Sequence, residues 1–129
     1  MILTIRTDKP QAEVGLYEAD KKLEYILWEA GRNLSQSLHE KIEELLGRRG
    51  IDYSSLIGVV IYKGPGSFTG LRIGASVANT LAGELDIPIA GSSGEDWIVA
   101  GIGALKAEPG KRLAVLDYGS EPKTTKPKK

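Results

Sequence analysis

One junction constrains the fold more than any other stretch of this chain. Residues 56–62 form a nearly continuous β-branched run containing Ile57, Val59, Val60 and Ile61, and a glycine-rich segment follows: Gly64-Pro65-Gly66-Ser67-Phe68-Thr69-Gly70-Leu71-Arg72-Ile73-Gly74. An apolar run without polar alternation suits a strand covered on both faces, as central parallel strands are. Beyond the loop, residues 69–85 read as a helix with no charge between Arg72 and Glu84. At 100° per residue, its apolar positions from Gly70 to Leu85 spread over an arc of roughly 200°, about twice the stripe a surface helix needs. Such a helix must be covered on more than one side. A buried strand feeding it through a tight loop begins a crossover connection, which places the chain in the α/β class.

The remaining elements fit around that unit. Residues 2–7, 13–18 and 23–28 read as three strands separated by the turns Asp8-Lys9-Pro10 and Ala19-Asp20-Lys21-Lys22. Connections this short join antiparallel neighbours, so they form a meander. Leu34, Leu38, Ile42, Leu45 and Leu46 then recur on one stripe of a helix over residues 33–46. Asn33 with Gln36 gives its N-cap signal, and Gly47 or Gly50 its end. A strand at 87–90 leads into a third helix, capped by Ser92 or Ser93 with Glu95 or Asp96 and running to about Lys106; a short strand at 113–116 is expected last. The order predicts a mixed sheet in one domain over residues 1–118, with an antiparallel three-strand meander, parallel strands and crossover helices. Residues 119–129 contain no large apolar side chain and are expected to be a disordered Lys- and Pro-rich tail.

Composition removes several chemistries. The 129 residues hold 17 Lys and Arg against 17 Asp and Glu, so the chain lacks the overall positive charge behind most nucleic-acid binding, and any RNA contact must be local or shared. The absence of cysteine excludes disulfides, zinc knuckles, thiol nucleophiles and iron–sulfur sites. The single His39 reads as a solvated helix residue, so no catalytic residue and no metal site is expected. No stretch reaches the ~18 apolar residues of a membrane span, and a cytoplasmic protein is expected.

The glycine-rich loop presents unpaired N–H groups at a helix start, where an anion could bind. Yet Leu71 stands where a P-loop needs Lys, and Thr69 stands where a dinucleotide fingerprint needs Gly. Two readings stay open: a binding loop using Gly64, Gly66, Ser67, Thr69, Gly70 and Arg72, or a tight turn with Thr69 as N-cap. Arg72, near the positive helix end, costs ~0.3–1 kcal/mol unless a carboxylate in the fold or an external anion compensates it. Gly70, Gly74, Ala78 and Ala82 make a ladder of small residues at spacing four, which permits close approach of another backbone. A partner helix is expected on the flank that the sheet leaves open.

The string from Gly64 to Gly74 resembles the signature of the TsaB family of tRNA threonylcarbamoyladenosine biosynthesis proteins. Met1-Ile2-Leu3 with Ile5 and Thr7, Leu34-Ser35-Gln36 with Leu38, and Asp86-Ile87-Pro88-Ile89-Ala90-Gly91-Ser92-Ser93 are similar to its surroundings. The resemblance covers residues 1 to about 117 and implies a ribonuclease H-like, actin-like fold of the glycoprotease-like branch. It implies a non-catalytic subunit pairing with the catalytic paralog TsaD, acting with the ATPase TsaE and reaching tRNA through the complex. The implied pairing surface comprises Leu34, Leu38, Gly74, Ala78, Leu81 and Ala82.

Three departures qualify it. Family members are nearly twice as long, and here the chain stops where their second domain would begin, so nucleotide is expected only at an interface shared with the partner. The superfamily's first-turn acid is replaced by Arg6, and Gly91-Ser92-Ser93-Gly94-Glu95 stands where the paralog carries metal-binding histidines. The alternative is a nucleotide-binding or peptidase-like hydrolytic enzyme, which these residues disfavour, and a third reading is a homodimer using the same helix face. Lys123, Lys126, Lys128 and Lys129 are expected to solubilise the chain end rather than to touch tRNA.

Overall fold

In the computed structural model, which describes residues 1–107, β1 (Ile2–Arg6), β2 (Gln11–Glu18) and β3 (Lys21–Glu29) form the expected antiparallel meander. β4 (Gly58–Tyr62) lies parallel to β1, and β5 (Ile89–Ser92) lies parallel to β4, giving one five-stranded sheet in the order β3-β2-β1-β4-β5. β4 is buried along its whole length, as its unbroken apolar run requires. The expected strand at 113–116 and the tail at 119–129 lie outside the described residues.

Alternation along β1 splits the core in two. Leu3 and Ile5 point to one face, where α1 (Leu34–Arg48) and α2 (Phe68–Leu85) cover them with Val14, Leu16, Val59 and Ile61. Ile2 points to the other face, where α3 (Trp97–Ala107) packs Trp97, Ile102 and Leu105 against Val60, Tyr62 and Ala90. α3 can approach this closely because Gly101 has no side chain: a Cβ there would meet Val60 Cγ1 at 2.2 Å.

Several boundaries differ from expectation, each for a local reason. The second turn is only Ala19-Asp20, because Glu18 pairs directly with Lys21, and Ala19 takes a positive φ of 53° to close it. β5 starts at Ile89 rather than residue 87, since Pro88 has no N–H for the ladder and instead accepts from Val59 N at 3.0 Å. Ile57, expected inside the buried run, precedes β4 and is 64% exposed.

Helix caps also depart. Asn33 makes no side-chain cap bond, because the 3-10 turn Gly31–Asn33 already leads the chain into α1; Gly47 lies inside that helix, and Gly50 takes the positive φ beyond its end. Ser67, not Thr69, caps α2 by accepting from Gly70 N at 3.3 Å. The serines expected to cap α3 are used elsewhere: Ser92 donates to Trp97 O, and Ser93 to Gly64 O. No helix of the described residues is long and apolar enough to cross a membrane.

Candidate functional site

Because β1 and β4 are parallel neighbours, the turn after β1 and the glycine-rich loop after β4 emerge at the same end of the sheet. They are stitched together there. Ser67 N donates to Asp8 O at 3.1 Å, and Thr7 Oγ1 donates to Gly70 O at 2.8 Å. The glycine spacing follows from this contact. A Cβ at Gly66 would lie 2.4 Å from Asp8 Cβ, one at Gly70 would lie 2.1 Å from Thr7 O, and one at Gly74 would lie 2.2 Å from Thr7 Oγ1. The signature is therefore the footprint of the first turn on the start of α2. Gly64 supplies a φ of 111° ahead of a cis Pro65, whose carbonyl accepts from Tyr62 Oη at 3.0 Å.

The acid of the first turn is Asp8, two residues after Arg6, and Arg6 takes both its oxygens: Nε donates to Oδ1 at 2.7 Å and Nη2 to Oδ2 at 3.2 Å. The guanidinium lies 3.9 Å from the centre of the Tyr62 ring. The bond to Asp8, opposed by partial burial, raises the guanidinium pKa further above its ordinary value. Farther along the same face, Tyr25 donates to Glu13, and burial followed by that bond holds the phenol well above its usual range.

The small-residue ladder is covered from within the chain, which corrects the expected pairing surface. Ala78 and Ala82 are fully buried, Gly74 lies against Thr7, and Leu34 and Leu38 are buried in the core that α1 shares with α2 and the sheet. Leu81 is half-buried against that core. A helix with a 200° apolar arc is satisfied here by the sheet on one flank and by α1 with the first turn on the other. Those six residues hold the fold together. The outward row of α2 is instead Thr69, Arg72, Ser76, Thr80 and Gly83, all exposed, with Ile73 half-buried among them.

Two clefts open beside this row. One, of about 310 Å³, lies between the first turn, the chain before α1 and the start of α2; Thr7, Lys9, Arg32, Ser67, Thr69 and Gly70 supply its polar wall, and Pro10, Ala30, Leu34 and Ile73 its apolar one. The other, of about 300 Å³, is lined by Phe68, Thr69, Arg72, Ile73 and Ser76. Of the expected binding-loop residues, Ser67, Thr69 and Gly70 reach the first cleft and Arg72 the second, whereas Gly64 and Gly66 line neither. Sequence reasoning missed Thr7, Lys9 and Arg32; a basic residue in each of two turns that precede separate elements gave no periodic signal. Arg72 lies over the Phe68 ring at 5.5 Å, and among the described residues it forms no ion pair with a carboxylate of the fold.

The family described as TsaD, tRNA N6-adenosine threonylcarbamoyltransferase, matches residues 28–113. The tRNA threonylcarbamoyladenosine biosynthesis protein TsaB of Bacillus subtilis (strain 168) is 36% identical over 100 residues, covering 77% of this chain and 43% of that protein. The TsaB of Haemophilus influenzae is 38% identical over 61 residues, 43% of this chain and 26% of that protein. Among solved structures, YeaZ from Pseudomonas aeruginosa superposes with a TM-score of 0.66 at 28% identity, covering 71% of this chain and 43% of that one. The matches span less than half the length of each of these relatives.

Proposed function

The chain belongs to the TsaD-type family of tRNA threonylcarbamoyladenosine biosynthesis proteins, on its TsaB branch, and from that premise we propose that it serves tRNA modification as a non-catalytic partner of a TsaD paralog. The observation that carries this reading is the outward row of α2. Thr69, Ser76, Thr80 and Gly83 are exposed, small and uncharged, with the exposed Arg72 and the half-buried Ile73 among them. Small uncharged residues on a helix surface permit a second helix to approach closely at little desolvation cost. Among the described residues no acid–base pair is assembled beside them: Asp8 is held by Arg6, and His39 stands exposed on α1. TsaE and tRNA enter this reading through the complex, and ATP belongs to a boundary shared with the partner rather than to this chain alone.

The test is association with the TsaD paralog of the same genome. A tryptophan at an exposed position of the row, Ser76→Trp, is expected to leave the thermal midpoint within a few degrees and to weaken association by at least ~10-fold, because added bulk holds the helices apart. Titration calorimetry checks it. Wild-type affinity in a folded Ser76→Trp variant would place the interface elsewhere.

A further inference from the structure

Three basic side chains from three separate elements ring the two clefts: Lys9 from the first turn, Arg32 from the 3-10 turn before α1, and Arg72 from α2. Among the described residues, no Asp or Glu lines either cleft, although the chain as a whole is charge-balanced. The acid closest in sequence to Lys9, Asp8, has both oxygens occupied by Arg6. Neither α1 nor α2 carries an acidic residue in its first turn. Among the described residues, Lys9, Arg32 and Arg72 take part in no ion pair. This end of the α2 face therefore gathers positive charge that no carboxylate of the described residues pairs, around an apolar floor of Pro10, Ala30, Phe68 and Ile73.

We propose that this corner takes an acidic segment of the partner protein, with one carboxylate on Arg72 and the adjoining cleft receiving an apolar side chain beside Lys9 and Arg32. The proposal rests on the docking reading above and adds the chemistry of the partner. The Arg72 guanidinium lies over the Phe68 ring at 5.5 Å, and its planar fork matches a carboxylate through two parallel hydrogen bonds. An arginine against an aromatic ring beside apolar clefts has the composition of a protein-binding hot spot. Nucleic acid fits less well, since it requires an extended basic stripe, and here three cations surround a largely apolar surface.

Calorimetric titration of the chain against the TsaD paralog of the same genome tests this. Arg72→Glu is expected to weaken binding ~10-fold or more at about 50 mM salt, and the gap should narrow at about 500 mM. The double variant Lys9→Glu, Arg32→Glu is expected to lose affinity in the same salt-dependent way. Lys106→Glu, an exposed cation on α3, serves as the control and should stay within about twofold of wild type. Unchanged affinity in Arg72→Glu, or an equal loss in Lys106→Glu, overturns the acidic contact while leaving the docking reading intact. Failure of the wild-type chain to bind removes that reading and this one together. If Arg72→Glu instead abolishes retardation of tRNA in a gel, or self-association in sedimentation, with TsaD affinity unchanged, the occupant is a phosphate or a second copy and the proposal fails.

Discussion

Gly74 shows how a single missing methyl group fixes two elements at once. Its would-be Cβ points at Thr7 Oγ1 from 2.2 Å, and that hydroxyl is already committed to Gly70 O, so Thr7 has little freedom to withdraw. Gly74→Ala is expected to destabilise the fold by about 1–3 kcal/mol despite alanine's better helix propensity, as urea denaturation would measure. The spacing of Gly70 and Gly74 was legible as a ladder of close approach; what approaches was not, because Thr7 lies more than sixty residues away in the sequence. Tyr25 carries a second residue-scale expectation. Its phenol is held neutral in the folded chain by burial and by donation to Glu13, so the unfolded chain loses this proton first, near pH ~10. The stabilisation is fully present below that pH and is lost as pH climbs past it toward the folded value. Thermal midpoints should therefore fall above pH ~10 in the wild type and fall less steeply in Tyr25→Phe.

α2 makes the corresponding point for whole elements. Its wide apolar arc was readable from composition and period alone, and the structure confirms cover on two flanks, by the sheet and by α1 with the first turn. Periodicity reports how many sides of a helix are buried but not which body buries them, so a covering that comes from the same chain looked like one left for a partner. Ala78 lies at the centre of that covering and is fully buried. Ala78→Leu is expected to cost about 1–3 kcal/mol through overpacking, a fall in thermal midpoint of roughly 4–20 °C for a domain of this size. A variant with an unchanged midpoint would show that the α1–α2 contact is loose. The ends of α1 and α3 were less legible than their cores. Asn33, Ser92 and Ser93 each had the right side chain for a cap, but a preceding 3-10 turn or a nearer carbonyl determined where each group sits.

For the molecule as a whole, the element order proved enough to foresee the mixed sheet and its crossover helices, because short turns permit only antiparallel neighbours and helical connections restore parallel ones. The clefts were not foreseeable, since their walls come from the first turn, the approach to α1 and the start of α2, three segments joined only by the sheet. The same assembly bears on phosphate chemistry. With both oxygens of Asp8 engaged, this chain alone is expected to release phosphate from ATP and Mg²⁺ no faster than buffer does; turnover above that background in a phosphate assay would mean that the Arg6–Asp8 pair opens in solution.

That pair also sets a condition on any cation that would reach the first turn. The guanidinium holds both oxygens of Asp8 and lies over the Tyr62 ring, so a divalent ion placed at Asp8 would have to displace it from the carboxylate. Arg6 thus fills the place such a cation would take, and the aromatic ring at position 62 helps to seat it there.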